Sequence, residues 1–307
     1  MRVVLFVALI CLRVEVCGQS FQAYEQRVSG SNIKLTLIAV PAGKFSMGSK
    51  SILADADETP VKEVSVSAFW MGEHEITFAE WDAFFKDINL PQSKNIDGVT
   101  RPTPQYTDLT WGMGREPNKP ANSMSQQAAI MYCKWLYSKT GIFFRLPTEA
   151  EWEYACKAGG QDELSFDAEQ LKQQAYYAGN SGGKFHDVKS LKPNAWGFYD
   201  MLGNLSEWTL DQYGPNYYQT LAPADPVTAP ASKYPRTVRG GSYQDKTSEV
   251  RCSNRIPSDA KWNQRDPQIP KSRWWLTDGM FVGFRVVRPL KQPSASEVEA
   301  FYAQYLK

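Results

Sequence analysis

Histidine and cysteine, the usual sources of metal ligands and nucleophiles, are scarce in this sequence. The 307 residues include only two histidines, His74 and His186, and five cysteines, two of which fall within the first eighteen residues. Neither histidine stands in a ligand pattern, so we expect no zinc or non-heme iron centre. A Gly-x-Ser-x-Gly nucleophile elbow and a glycine-rich phosphate loop are also missing from the sequence.

An excess of charge of either sign is missing too. The 34 Lys and Arg residues almost balance the 33 Asp and Glu residues, which leaves a formal net charge of +1. Polyanion partners are usually recognised through an excess of positive charge. We therefore expect no nucleic-acid partner.

Long apolar runs are absent as well. The apolar run of residues 3–12 is too short to span a bilayer, which takes about 20 apolar residues. It follows a basic start and precedes small residues that end at Gly18, so it predicts a signal peptide over residues 1–18. Lipidation at Cys17 is the alternative. We expect an exported protein (periplasmic, cell-surface or secreted) without a transmembrane segment in the mature chain.

Aromatic and turn-forming residues are abundant. Ten Trp, fifteen Tyr, nineteen Pro and twenty-one Gly indicate many loops held by aromatic packing. Alternating patterns predict short strands over 33–40, 44–49 and 61–66, and capping boxes at Thr77, Thr148 and Ser294 predict helix starts. An apolar stripe predicts a further helix over 126–138. The predicted class is α+β, with a domain over 19–290 and an amphipathic helix over 291–307.

Five motifs connect this sequence to a known family. They are Arg-Leu-Pro-Thr-Glu-Ala-Glu-Trp-Glu-Tyr-Ala at 145–155, Pro-Asn-Ala-Trp-Gly-Phe-Tyr-Asp-Met at 193–201, Gly-Asn-Leu-Ser-Glu-Trp at 203–208, Arg-Gly-Gly-Ser-Tyr at 239–243 and Gly-Phe-Arg at 283–285. In this order the motifs resemble the formylglycine-generating enzyme, or sulfatase-modifying factor, family. The resemblance extends over about residues 30–290. It implies an irregular, loop-rich fold related to C-type lectins, with small twisted antiparallel sheets and a few short helices.

The resemblance also implies an oxidase pocket, and this chain lacks the residues that make it work. Active members of the family use a cysteine pair to bind copper and oxidise a substrate cysteine to formylglycine. The first of that pair falls three residues after Ser242, where this chain has Asp245. A Trp and an Asn of the family pocket are replaced by Ser206 and Phe281. Because copper(I) prefers soft sulfur to a carboxylate oxygen, we expect neither copper nor this oxidase activity.

The family likewise implies how the later cysteines are used. Cys156 and Cys252 match a family disulfide, and Cys133 matches a half-cystine whose partner position is Val286 here. We therefore expect one bridge and one unpaired, buried thiol. The alternative is that Cys252 acts as a substitute nucleophile or copper ligand.

Calcium is the metal that the resemblance favours. Asp200, Gly203, Leu205 and Glu207 match a family calcium site built from two side-chain oxygens and two main-chain carbonyls. Calcium takes about six to eight oxygen ligands from flexible sets of this kind. The alternative is that Asp200 and Glu207 only satisfy the backbone of a turn. A second family calcium site retains only Asn180, and we do not expect it here.

Two functional hypotheses follow from these observations. The first is an exported family member without oxidase activity, which acts as a binding or structural module of the cell envelope with a protein or glycan partner. The second is an oxidoreductase that generates formylglycine in sulfatases or performs another oxidation in the same pocket. The aromatic clusters at 261–263 and 273–275 are either part of such a binding surface or part of the core.

Overall fold

The computed structural model describes residues 21–87, 102–159 and 168–306, and the predicted signal peptide with Cys17 lies outside them. Within these ranges the chain forms ten short strands and five α-helices. The strands are β1 (Tyr24–Arg27), β2 (Lys34–Val40), β3 (Gly43–Met47), β4 (Lys62–Val66), β5 (Phe69–Gly72), β6 (Ser206–Gln212), β7 (Arg236–Arg239), β8 (Arg255–Pro257), β9 (Val282–Gly283) and β10 (Val287–Pro289). The helices are α1 (Phe78–Phe85), α2 (Gln126–Thr140), α3 (Glu149–Cys156), α4 (Ala168–Lys172) and α5 (Ala295–Tyr305).

The helices begin and end where local side-chain chemistry predicts. Thr77, Thr148 and Ser294 form capping boxes at the starts of α1, α3 and α5. Ser125 caps α2 by accepting a hydrogen bond from a main-chain N–H, and Gly141 ends that helix with φ +69°. Glycine adopts this left-handed conformation without the steric cost that a Cβ imposes. The predicted helix starts are therefore confirmed.

Three small sheets carry the strands. Their strand orders are β1-β2-β5-β10, β3-β4 and β8-β7-β6-β9. Every pair is antiparallel except β6 and β9, which pair in parallel. β9 lies far from β6 in sequence, so no hairpin dictates its direction. Among the named strands of the described residues, this parallel pair departs from the antiparallel sheets that we expected.

The first sheet ties the two ends of the domain together, and the third joins strands from the second half of the chain. β10 pairs with β5 in the first sheet, and β9 pairs with β6 in the third. The core between them is rich in aromatic side chains. Five tryptophans are among its largest fully buried side chains: Trp70, Trp81, Trp152, Trp208 and Trp275. This packing confirms that aromatic residues hold the loops. No helix of the described residues is long and apolar enough to cross a membrane.

Candidate functional site

The four residues of the predicted family pocket lie around the start of β6. Ser206 begins β6, and its main-chain N–H donates a hydrogen bond to the carbonyl of Phe281, at 2.9 Å. The Oγ of Ser206 is buried and has no hydrogen-bond partner among the described residues. Phe281 is half-buried and packs edge-on against Trp262, with 5.0 Å between the ring centroids. This wall of the pocket therefore consists of a hydroxyl and an aromatic ring.

Ser242 and Asp245 form the other part of the predicted pocket. The Oδ2 atom of Asp245 accepts hydrogen bonds from Ser242 Oγ, at 2.7 Å, and from the Ser242 main-chain N–H, at 2.8 Å. Burial raises the pKa of Asp245, and the bonds from Ser242 partly offset that effect. Tyr243, which follows Ser242, donates its main-chain N–H to the carbonyl of Asn204, and Asn204 leads into β6. Asp245 stands at the position of the family's first cysteine, and its carboxylate closes the turn that begins at Ser242.

None of the three cysteines in the described residues supplies a thiolate. Cys156 and Cys252 form a disulfide, as predicted. Cys133 is unpaired and buried, and burial raises the pKa of its thiol. A protonated, buried thiol is neither a good metal ligand nor a good nucleophile. Cys252 is thus occupied in the bridge and does not serve as a substitute for the missing cysteine pair.

The predicted calcium ligands Asp200 and Glu207 lie beside a buried arginine. Arg285 donates Nε to Glu207 Oε2, at 2.7 Å, and Nη2 to Glu207 Oε1, at 2.6 Å. Trp152 Nε1 also donates to Glu207 Oε2, at 2.8 Å. Asp200 Oδ2 accepts a main-chain N–H from Lys189, at 2.8 Å. Burial raises the pKa of Asp200 to about 6, against the lowering effects of that hydrogen bond and of the Arg285 charge.

A third carboxylate, Glu75, completes this cluster. Its two oxygens accept hydrogen bonds from Asn204 Nδ2, at 2.7 Å, and from the Leu205 main-chain N–H, at 2.8 Å. Burial and the charges of Asp200 and Glu207 raise the pKa of Glu75 well above its usual value. Three acidic side chains thus surround one guanidinium, and the cluster carries more acidic groups than its arginine can balance.

The donor set of this cluster is compatible with calcium. A carboxylate has about four lone-pair positions, and Glu207 uses three of them in the bonds described above. The described contacts of Asp200 use one. Both side chains therefore retain lone-pair positions that a cation can use, although Arg285 already binds both oxygens of Glu207. No three His, Cys, Asp or Glu side chains are grouped as metal ligands in the described residues. The proposed site does not require such a group, because two of its ligands are main-chain carbonyls.

Comparison with known proteins establishes the family. The model of the sulfatase-modifying factor enzyme 1-like domain matches residues 25–290. The chain belongs to this family. The formylglycine-generating enzyme of Streptomyces coelicolor is 30% identical over 256 residues, which cover 67% of this chain and 78% of that enzyme. The serine/threonine-protein kinase pkn1 of Chlamydia pneumoniae is 27% identical over 256 residues, which cover 80% of this chain.

These relatives differ in how much of their length they share with the chain. It spans only 39% of the chlamydial kinase, so the match concerns a part of that protein. In contrast, the structure of PvdO from Pseudomonas aeruginosa matches over 84% of this chain and 95% of its own, with a TM-score of 0.65 and 25% identity. The irregular α+β architecture of the sulfatase-modifying factor family is therefore shared along most of the chain.

Sequence reasoning missed the roles of Glu75 and Arg285 in this sulfatase-modifying factor domain. Arg285 ends the Gly-Phe-Arg motif and Glu75 stands two residues before the capping residue Thr77, but their pairing with residues around position 205 is a product of the fold. The available signal was chemical and clear only for Arg285, which stands among apolar neighbours and needs partners when it is buried. Asn180, the one residue retained from a second family calcium site, binds main-chain groups of Tyr177 and Ala175 through both ends of its amide.

The two aromatic clusters contribute mainly to the core. Trp274 and Trp275 are buried, and Trp262 packs between Trp208 and Phe281. The neighbouring Arg273 is half-buried and lines a surface cavity. The tryptophans therefore belong mainly to the core, and Arg273 at the edge of the second cluster faces the surface cavity.

Proposed function

We propose that this chain is a family member without copper-dependent cysteine oxidase activity, which acts as an exported binding or structural module of the cell envelope. The observation that carries the proposal is the inward-facing carboxylate of Asp245. It stands where the family places a copper-binding cysteine, and it is bonded to Ser242 at both Oγ and the main-chain N–H. A hard oxygen ligand already engaged in a turn does not replace a soft thiolate.

The surrounding residues support the same proposal. A copper thiolate centre of this family needs a pair of sulfurs, and residues 244–250 contain no cysteine. Ser206 and Phe281 replace the Trp and Asn of the family pocket, so the groups that hold substrate in active members are missing. The pocket thus differs from that of active members in four ways: Asp245, the missing second cysteine, Ser206 and Phe281. Because reacting groups must be held in near-attack geometry, a pocket with these changes does not retain the family reaction.

Export is supported by the N-terminal segment and by the disulfide. Stable disulfides form in oxidising compartments, outside the cytosol. Mass spectrometry of the mature chain from its native host tests this part of the proposal. A first residue at position 19 is the expected result, whereas a lipid-modified Cys17 supports the lipoprotein alternative. An unprocessed chain in the cytosol contradicts export.

We further propose a structural calcium ion held by Asp200 and Glu207 with the main-chain carbonyls of Gly203 and Leu205. The excess of acidic groups around Arg285 supports this proposal. Burial, and after it repulsion between the carboxylates, raises the pKa of Glu75 and Asp200, and a divalent cation favours their charged forms. In this role calcium connects the segment before β6 with β6 itself and takes no part in a reaction.

The absence of oxidase activity is tested by copper binding and oxygen consumption. The purified chain is titrated with copper(I), and oxygen uptake is followed with a cysteine-containing peptide. We expect no stoichiometric copper binding, no uptake above the copper-only background and no aldehyde in the peptide by mass. The Streptomyces coelicolor relative serves as the positive control. Aldehyde formation by this chain supports the oxidoreductase alternative and contradicts the proposal.

A further inference from the structure

A cavity of about 300 Å³ lies between the start of α2, the loop that leads into β7 and the end of α5. Its walls include Gln126, Trp208, Tyr234 and Tyr305. This volume matches the lower end of small-molecule sites in proteins, which begin at about 300 Å³. Ser206, Ser242, Asp245 and Phe281 are not among the lining residues. The cavity is therefore separate from the family pocket.

The charges around this cavity are all of one sign. Lys233, Arg236 and Arg273 line it, and no Asp or Glu is found among its described lining residues. The cavity also includes the first residues of α2, a helix of 15 residues. A helix start carries partial positive charge and main-chain N–H groups without partners inside the helix. Each of these features favours an anion.

Arg236 gives the decisive observation. Only 9% of its surface is exposed, and its Nε and Nη1 atoms are buried without a hydrogen-bond partner in the described part of the chain. A guanidinium keeps its charge in proteins, and a buried charge without a counter-ion is strongly unfavourable. Burial accordingly lowers the pKa of Arg236.

A second arginine of the same strand shows the contrast. Arg239 is also buried, and its Nε likewise has no partner among the described residues, but its Nη1 and Nη2 atoms bind Glu149 and Glu153 as well as main-chain carbonyls. Residues 236 and 239 face opposite sides of β7, because alternate residues of a strand point to opposite faces. The side that faces α3 supplies acidic partners for its arginine. Among the described lining residues, the side that faces the cavity supplies none.

We propose that this cavity binds a small ligand that carries a carboxylate or sulfate group, and that Arg236 is the residue that pairs with this group. Guanidinium groups bind such oxyanions through strong, charge-assisted hydrogen bonds. Tyr234, Tyr305 and Trp208 form aromatic walls, and Gln126 adds an amide. An acidic sugar unit fits this combination of ring-stacking and polar walls. The inference deepens the proposed binding function by naming a ligand class, and it uses a different site from the oxidase assay, so the two can fail separately.

Binding of defined probes tests the proposal. Glucuronate, sulfate and glucose are added separately to the full chain at constant ionic strength set with chloride, and binding is measured by calorimetry and by the shift in melting temperature. We expect glucuronate to bind and glucose not to bind. Sulfate binding equal to that of glucuronate identifies the oxyanion alone as the recognised group, whereas stronger glucuronate binding adds the sugar ring.

Paired variants assign the binding to Arg236. Arg236→Met is expected to weaken glucuronate binding by at least about tenfold, as the loss of a charge-assisted hydrogen bond does. Without ligand it is expected to raise the melting temperature, because an unpaired buried charge is removed. The control Arg239→Met is expected to lower the melting temperature, because it leaves Glu149 and Glu153 without that partner. Arg236→Lys keeps the charge and is expected to bind with intermediate affinity.

Three results overturn the inference. The first is an absence of any glucuronate or sulfate effect beyond that of chloride. The second is glucuronate binding that Arg236→Met leaves unchanged. The third is glucose binding as strong as glucuronate binding, together with a loss of stability in Arg236→Met as large as in Arg239→Met. That last combination assigns Arg236 a purely structural role.

Discussion

Asp245 accepts two hydrogen bonds from Ser242, and these bonds close the turn after β7. The same side chain stands at the position where the sulfatase-modifying factor family places a copper ligand. A single residue thus serves the local structure and, in our proposal, offers hard oxygen atoms that are poorly suited to a soft metal. Restoring the family residue at this position tests how far the pocket has diverged.

Asp245→Cys is not expected to create oxidase activity. The second sulfur is still missing, and Ser206 and Phe281 still replace two further pocket residues, so a single change restores only one part of a unit that functions together. The variant is also expected to lose roughly 1–2 kcal/mol of stability, because two hydrogen bonds to Ser242 are removed. Mass analysis of a cysteine-containing peptide with added copper measures the activity. Aldehyde from this variant alone would show that the rest of the pocket is intact.

The buried carboxyl group of Asp211 is expected to make the stability of the folded chain depend on pH. Its oxygens accept main-chain N–H groups of Glu149 and Thr228, both at 2.8 Å. Burial and the nearby charge of Glu149 raise the pKa of Asp211 to about 7. In the unfolded chain this pKa is about 3.9, so the folded state binds the proton more strongly between these values. The contribution of Asp211 to stability is therefore largest at low pH and is lost as the pH rises to 7.

The comparison of the wild-type chain with Asp211→Asn isolates this contribution. The stability of the wild type relative to the variant is expected to fall by roughly 2–4 kcal/mol between pH 4 and pH 8, because only the wild type must ionise a buried group. Urea unfolding at a series of pH values measures the difference. A difference that stays constant with pH would contradict the raised pKa.

At the scale of secondary-structure elements, the side-chain contacts of α3 account for the length of the family motif that contains this helix. Glu149 binds Arg255 through both oxygens, at 2.7 and 2.9 Å, and Glu153 binds Lys157, Tyr218 and Arg239. Burial opposes the ionisation of both glutamates, but the charges around them outweigh it and lower their pKa values. The acidic residues of this short helix therefore connect it to β7, β8 and the loop after β3. An amphipathic surface helix would not need them.

The disulfide adds a covalent connection to the end of the same helix. Cys156 and Cys252 are 96 residues apart in sequence. Replacing both by Ala is expected to lower the stability by about 4–5 kcal/mol in the chain-entropy model, because the unfolded chain gains the freedom that a long closed loop removes. Urea unfolding of the double variant measures this loss.

Cys133→Ala is the matched control for the bridge. It removes a cysteine that makes no disulfide in the described structure, so it is expected to leave the bridge intact and cost far less than the double substitution. Peptide mapping without reduction identifies the linked pair in both cases. A linked Cys133 in the wild-type chain would contradict the assignment.

At the scale of the whole molecule, calcium is expected to couple the segment around Asp200 to the third sheet. A ligand bound only by the folded state stabilises it by mass action, so removing calcium with a chelator is expected to lower the melting temperature of the wild type. Asp200→Asn is expected to abolish this response. Asn is a suitable replacement because Asp200 has φ +54°, a region in which Asn is also well tolerated.

Glu207 is a poorer choice for the calcium test. Glu207→Gln leaves the buried Arg285 without its charged partner, and breaking a buried pair costs about 3–5 kcal/mol whether or not calcium is bound. If chelation leaves the melting curves of the wild type and Asp200→Asn unchanged, Asp200 and Glu207 satisfy the turn and its arginine only.

The amino-acid sequence by itself determined the features that depend on neighbouring residues or on residue type. The capping boxes at Thr77, Thr148 and Ser294 placed three helix starts because a side chain and the main-chain groups within one helical turn decide a cap. The order of the motifs placed the chain in its family, and the absence of cysteine from residues 244–250 is the basis for expecting no copper pair. Each of these conclusions needs only local chemistry or identity.

Tertiary structure alone decided which charged residues are paired. Glu75 and Arg285 lie far in sequence from the segment 200–207 that carries Asp200 and Glu207, and tertiary contacts bring them together. Arg236 and Arg239 are close in sequence, yet Arg239 has acidic partners whereas Arg236 faces a cavity whose described lining residues include none. The partners of a buried charge are set by contacts between distant segments, and its energy depends on its distance from them and on the loss of water. Neither quantity is contained in the local sequence.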